Sequence, residues 1–229
     1  MDTPLRYAIY YAPPPGPFAS AASAWLGWDA DAGREVAHPD LPGLPGTPAA
    51  LTEAPRRYGF HGTLKPPFRL APGATPDALA AAAAALAARL RPVEFPCLRF
   101  AAIGGFLALV PEGEARDLTT LAAAAVENLD RFRAPPDDAE IARRRPDWLS
   151  ERQRKYLARW GYPYVMDEFR FHLTLTGDIG RDAAAETATA LAPWFAPVLP
   201  RPFRIGELCL FAELPDGRFR VLHRYPLSG

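Results

Sequence analysis

"RYGFHGTLKPPF", residues 57–68, sets a histidine and a threonine two apart in an apolar, proline-ended run, and "FRFHLTLTG", residues 169–177, repeats the pattern 111 positions later. Extended chain turns alternate side chains to opposite faces. In the second copy, preceded by Glu168, this sends Phe169, Phe171, Leu173 and Leu175 to one face and Glu168, Arg170, His172, Thr174 and Thr176 to the other. In the first, Phe60, Gly62 and Leu64 oppose Gly59, His61, Thr63 and Lys65. Both histidines therefore leave the apolar side of a strand. Such a polar face is either solvated surface or the floor of a cleft, and alternation alone does not choose.

Each motif is succeeded along the chain by the same order of parts. After His61 come a Pro/Gly linker, an alanine-rich helix signal over about 75–90 with Pro76 in its first turn, and a strand-like run "EFPCLRFAAI" that Gly104 and Gly105 turn into "FLALV". After His172 come a Gly/Asp linker, the helix signal "RDAAAETATALAPWF", the strand-like run "FRIGELCLFAEL" and a "PDG" hairpin into "RFRVLHRY". His61 lies 34 residues before Phe95 and His172 lies 31 before Phe203, which makes the halves comparable in length as well as order. The pattern predicts an α+β fold of two pseudo-symmetric lobes, about 1–112 and 113–229, each an antiparallel sheet with packed helices and with the cleft between the sheets. No flexible linker separates them, so residues 1–229 read as one bilobal domain. Residues 12–56 read as one short helix around "PFASAASAWLGW" plus long loops, while "EARDLTTLAAAAVENLDRF" and "DWLSERQRKYLARWG" read as helices between the lobes.

The composition, 49% hydrophobic and 23% charged, is that of a globular chain. Lysine plus arginine balances aspartate plus glutamate at 26 each, so the whole chain lacks the positive excess that drives attachment to long nucleic acids; a small anionic ligand or a short RNA end fits better. No apolar run is long enough to cross a membrane, and a cytoplasmic monomer is expected. Cys97 and Cys209 lack CxxC spacing and read as free thiols in strands.

Repetition gives the two polar faces their chemistry. Only four histidines occur, and two of them occupy equivalent places, each with a hydroxyl two positions on. Imidazole exchanges its proton near neutral pH, so a facing pair can hold one base and one acid. That pairing suits in-line displacement at phosphorus, with Thr63 and Thr174 as donors to the non-bridging oxygens. Lys65 and Arg170 share these faces by parity and would add positive charge. His38, His61, His172 and His223 show no zinc-type spacing, so neither a metal nor another cofactor is expected. Tyr7, Tyr10, Tyr58 and Tyr164 are candidates to flank the cleft, with sheet packing as the plainer reading.

The pair "HGTL", 61–64, and "HLTL", 172–175, resembles the signature of the two-histidine phosphoesterase superfamily. More narrowly, "RYGFHGTLKPPF" with "FRFHLTLTG" looks like a branch of uncharacterised proteins encoded with bacterial phosphonate-utilisation genes. The resemblance implies a bilobal α+β fold, a metal-independent phosphodiesterase, His61 and His172 as catalytic histidines of interchangeable acid and base roles, and Thr63 and Thr174 as phosphate contacts. It also implies a small cyclic phosphodiester substrate, such as a phosphorylated ribose bearing a 1,2-cyclic phosphate. Two rivals remain at this point. One is an RNA 2′,3′-cyclic phosphodiesterase or end-joining enzyme, for which "RRRPDWLSERQRKYLARW", 143–160, supplies basic and aromatic residues that equally suit a solvated helix face. The other is a non-catalytic binder of phosphorylated ligands.

Overall fold

Proline and threonine set where several helices begin. Pro76 opens an alanine-rich helix whose preceding residue, Thr75, caps it by accepting from the Ala78 amide at 3.2 Å. The computed structural model describes residues 4–229. Its strands are β1 (Arg6–Tyr11), β2 (Trp28–Asp29), β3 (Arg34–Glu35), β4 (Gly62–Phe68), β5 (Val93–Phe95), β6 (Leu98–Ile103), β7 (Phe106–Pro111), β8 (Leu173–Thr174), β9 (Phe203–Ile205), β10 (Glu207–Glu213) and β11 (Phe219–Pro226). The helices are α1 (Pro17–Leu26), α2 (Pro48–Leu51), α3 (Glu53–Arg56), α4 (Pro76–Ala87), α5 (Arg116–Leu129), α6 (Asp138–Arg143), α7 (Glu151–Trp160) and α8 (Arg181–Phe195).

The fold class is α+β, as the pattern predicts, built on one antiparallel sheet of seven strands in the order β11-β10-β1-β4-β8-β7-β6. The division at residue 112 does not follow this sheet. The hairpin β6–β7, from the first half of the chain, pairs through β7 with β8 of the second, while β10–β11 pairs through β10 with β1. Each half thus lends its hairpin to the other half, β6–β7 to the motif strand β8 and β10–β11 to β1 beside the motif strand β4. The short ladder β5–β9 sets Phe95 opposite Phe203, the two positions that the repeat makes equivalent.

β1 shows how the layers divide. Tyr7, Ile9 and Tyr11 enter the main core with residues of α1, α4, α5 and α8, whereas Ala8, Tyr10 and Ala12 face the opposite side with Trp28, Cys209, Phe211 and Phe219. Helices cover the first face. The candidate site occupies the second.

Two sequence expectations are corrected here. The second motif is not a long strand: residues 166–168 form a 3₁₀ turn and only Leu173 and Thr174 are strand. Residues 12–56 contain the expected helix, α1, and also the β2–β3 hairpin and the short helices α2 and α3. The free cysteines differ in setting: Cys209 is buried, whereas Cys97 is half-buried and its thiol donates to Glu112 at 3.1 Å.

Candidate active site

β4 meets β8 through one pair, Gly62 opposite Leu173. Continuing that register by one residue on either side puts His61 across from Thr174 and Thr63 across from His172. The two motifs therefore form a square in which each histidine faces the other motif's threonine. All four residues line a cleft of about 370 Å³.

The two imidazoles are held alike. His61 Nδ1 lies 2.9 Å from the Gly59 carbonyl oxygen and His172 Nδ1 lies 2.8 Å from that of Arg170, in each case two residues upstream. A carbonyl only accepts, so each Nδ1 is the protonated nitrogen and each neutral ring leaves Nε2 free as a base. Gly59 makes this possible in the first motif, since its φ of +71° is strained for other residues and a Cβ there would lie 2.5 Å from that of Ala30.

Tyr10 stacks on His61 at 3.9 Å between centroids, and Tyr58 lies 5.8 Å away. Burial lowers the His61 pKa to about 4 against the opposing pull of the Gly59 carbonyl, with a further lowering from His172. Burial lowers the His172 pKa as well, again against its carbonyl partner. Both shifts favour neutral rings near pH 7.

Lys65 does not join them. The register passes from Tyr10 opposite Thr63 to Ile9 opposite Lys65, so β4 carries an extra residue, Leu64, in a bulge. The bulge breaks the alternation and turns both Leu64 and Lys65 inward, each 1% exposed. The Lys65 ammonium donates to the Val126 carbonyl at 3.1 Å and to Asp130 at 3.2 Å, at the C-terminal end of α5. Burial lowers its pKa to about 8 despite Asp130. Pro66 and Pro67 fit the same irregular stretch, where the ladder does not need their missing amides. At the equivalent place in the second motif, Thr176 is also buried, accepting from the Leu107 amide and donating to the Gly177 carbonyl, both at 2.9 Å.

Arg170 is likewise corrected: its side chain is exposed and is not among the groups lining the cleft, and its contribution is the carbonyl that orients His172. Of the four candidate tyrosines, Tyr10 and Tyr58 line the cleft; Tyr7 packs in the helix-covered core and Tyr164 is exposed. The lining also includes Arg6, Phe106, Tyr162 and Asp178, which the sequence reading did not single out, and Arg144, which it met only within the basic stretch 143–160. Arg6 is fixed by Glu213, directly opposite on β10, through contacts of 2.5 and 3.0 Å. The Arg144 guanidinium lies 4.6 Å from the Tyr162 ring centroid. Arg6 shares parity with Tyr10 on β1, a usable signal once β1 is set beside β4. For Arg144 the local signal is the basic run 143–145, which does not say that it reaches the histidines.

The polar face of α7 is more than solvated surface. Tyr156 donates to Asp167 at 2.6 Å, Arg152 pairs with the same carboxylate, and Gln153 donates to Glu168 at 3.0 Å, which anchors the turn leading into the second motif. Trp25 holds the motif from the other side, its indole N–H donating to the Leu175 carbonyl at 2.8 Å. Among the described residues no group of three or more His, Cys, Asp or Glu is placed to hold a metal ion, and no helix is long and apolar enough to cross a membrane.

The chain belongs to a family described as a protein of unknown function, DUF1045, whose model matches residues 63–220. It is 36% identical over 235 residues to the ribose 1,5-bisphosphate phosphokinase PhnN of Janthinobacterium sp. (strain Marseille), an alignment covering 100% of this chain and 52% of that protein. With the protein of the same name from Laribacter hongkongensis (strain HLHK9) it shares 38% identity over 214 residues, 93% of this chain and 49% of the other. The chain thus spans about half the length of these curated relatives. Among solved structures it is similar to E. coli LigT complexed with 3′-AMP, at 17% identity and a TM-score of 0.46 over 99% of this chain and 100% of the other. A structure described as a phosphoesterase matches at 17% identity and a TM-score of 0.42, with the same coverage.

Proposed function

We propose that the chain is a metal-independent two-histidine phosphoesterase that hydrolyses a cyclic phosphodiester of a small molecule. The observation that carries this reading is the square of His61, Thr174, His172 and Thr63, with both Nδ1 atoms tied to carbonyls and both rings lining one cleft. His61, the ring held near pKa 4, is the base: its Nε2 takes a proton from water as the water oxygen forms a bond to phosphorus. His172 is the acid. The phosphate's negative charge favours its protonated form, and Nε2–H passes the proton to the ring oxygen as the P–O bond breaks, giving a phosphomonoester and a free hydroxyl. Thr63 and Thr174 donate to the non-bridging oxygens.

A phosphorylated ribose carrying a 1,2-cyclic phosphate, an intermediate of phosphonate breakdown, is the proposed substrate. The longer relatives support it by name, since they are described as acting on ribose 1,5-bisphosphate. An RNA 2′,3′-cyclic end is the second reading, favoured by Trp148, which is 83% exposed with the Arg145 guanidinium 5.9 Å from its ring centroid and offers a face for a base.

Turnover of a ribosyl 1,2-cyclic phosphate and of a 2′,3′-cyclic RNA end, in parallel and with a chelator present, tests both. Hydrolysis of the sugar ester is expected, with His61→Ala or His172→Ala each lowering the rate ~10²-fold or more. Full activity in either variant refutes the mechanism; preference for the RNA end replaces the substrate.

A further inference from the structure

Beside the histidine cleft opens a second cavity of about 270 Å³, and Arg6, Tyr58, Pro67 and Arg144 line both. Six arginines line it, Arg6, Arg57, Arg69, Arg133, Arg143 and Arg144, against one lining carboxylate, Glu140. Their charges are used differently. Arg69 is held by Glu140 at 2.9 Å and Arg133 by Asp130 at 2.7 Å. Arg6 and Arg57 divide the single carboxylate of Glu213, which leaves one positive charge over. Among the described residues, neither Arg143 nor Arg144 has a carboxylate partner within 4.0 Å.

Two of these cations are steadied by rings instead. The Arg57 guanidinium lies 4.8 Å from the Tyr58 centroid and that of Arg144 lies 4.6 Å from the Tyr162 centroid. A guanidinium seated on an aromatic face is oriented without consuming the N–H fork that matches phosphate. Several such forks gathered in one concavity repel one another until an anion enters.

We propose that this cavity binds a phosphomonoester borne by the substrate, with Arg57, Arg143 and Arg144 donating to it while Arg69 and Arg133 brace the walls. The enzyme then selects a cyclic phosphodiester that carries a second phosphate on the same small molecule. Because Arg6 and Arg144 border both cavities, one ligand reaches from the histidines to the arginines. The inference rests on the phosphodiesterase reading for the reaction, though not for the binding.

Calorimetric titration of ribose 5-phosphate, which has no cyclic ester, into the full chain carrying His61→Ala and His172→Ala separates the two. Binding is expected to persist there, and Arg57→Gln with Arg143→Gln, or Arg144→Gln alone, should weaken it about ten- to a hundredfold, the scale of a lost charge-assisted contact. No binding of ribose 5-phosphate, or binding undiminished by these exposed-site substitutions, overturns the subsite. With the histidines intact, the ratio of kcat/KM for ribose 1,2-cyclic phosphate with and without a 5-phosphate should fall by the same factor in the Arg57→Gln, Arg143→Gln chain. An unchanged ratio overturns the subsite and leaves the phosphodiesterase standing. Retained ribose 5-phosphate binding with neither ester hydrolysed supports the subsite and removes the phosphodiesterase.

Discussion

Gly62→Ala adds one methyl group at the point where the two motif strands meet. A Cβ on Gly62 would lie 2.3 Å from both Cε2 and Cζ of Phe171 and 3.1 Å from a Leu173 methyl. Carbon atoms settle at about 3.5–4.0 Å, so the ring must retreat by more than an ångström. It has little room: Phe171 is 6% exposed and packed at 6.1 Å from Tyr11 and 6.2 Å from Phe203. Overpacking of this kind costs about 1–3 kcal/mol, and the depth of the overlap argues for the upper end. At roughly 2–4 °C per kcal/mol for a chain of this size, the melting temperature should fall by about 6–12 °C. Calorimetric melts of four proteins check it: the parent, Gly62→Ala, Phe171→Leu and the double variant. Phe171→Leu removes the two ring atoms that the methyl meets, so the double variant should recover at least ~1 kcal/mol relative to additivity. A Gly62→Ala melt within about 2 °C of the parent, or strict additivity, refutes the reasoning.

Lys65→Met should leave turnover within about twofold of the parent, since the ammonium faces α5 and Asp130 keeps Arg133 as a partner; a large loss of kcat in a folded variant would return Lys65 to the site. NMR titration of the histidine rings should find His61 near 4 and His172 below 6.5, whereas two values at or above 6.5 would contradict the burial argument. A histidine with a folded pKa below its unfolded 6.5 binds fewer protons when folded, so its contribution to stability is complete above pH 6.5 and is lost as pH falls toward 4. Denaturant melts at pH 7 and pH 4.5 should show this loss, and His61→Gln should reduce it; an equal slope in both proteins would contradict the assignment.

His61, Thr63, His172 and Thr174 were legible because each motif's spacing and its repetition are local facts, and the sheet brings the two copies to one cleft. The longer helices were legible for the same reason, down to Pro76 in the first turn of α4. Lys65 was misplaced because parity counting assumes an unbroken ladder, and a bulge is set by how β1 fits against β4. Arg6 and Arg144 reach the site from segments far from either motif, and α6 is six residues long with none buried, so no apolar periodicity announces it. The exchange of hairpins between halves is a matter of long-range pairing. Each half's pattern of strands is equally compatible with keeping its own hairpin, which is why the lobes were drawn sequentially.

That exchange has a consequence for how the chain acquires its structure during synthesis. β1 is made first among the sheet strands, yet on one side it pairs with β10, residues 207–213. β1 therefore remains half-paired until β10 has been made, and β4 until β8, which closes the sheet between two strands of the first half. A product truncated after residue 112 would hold β6–β7 and β1–β4 with no strand to join them. Folding is accordingly governed by contacts between sequence-distant residues, which favours a slow, late and concerted closure in which the histidine square forms together with the sheet.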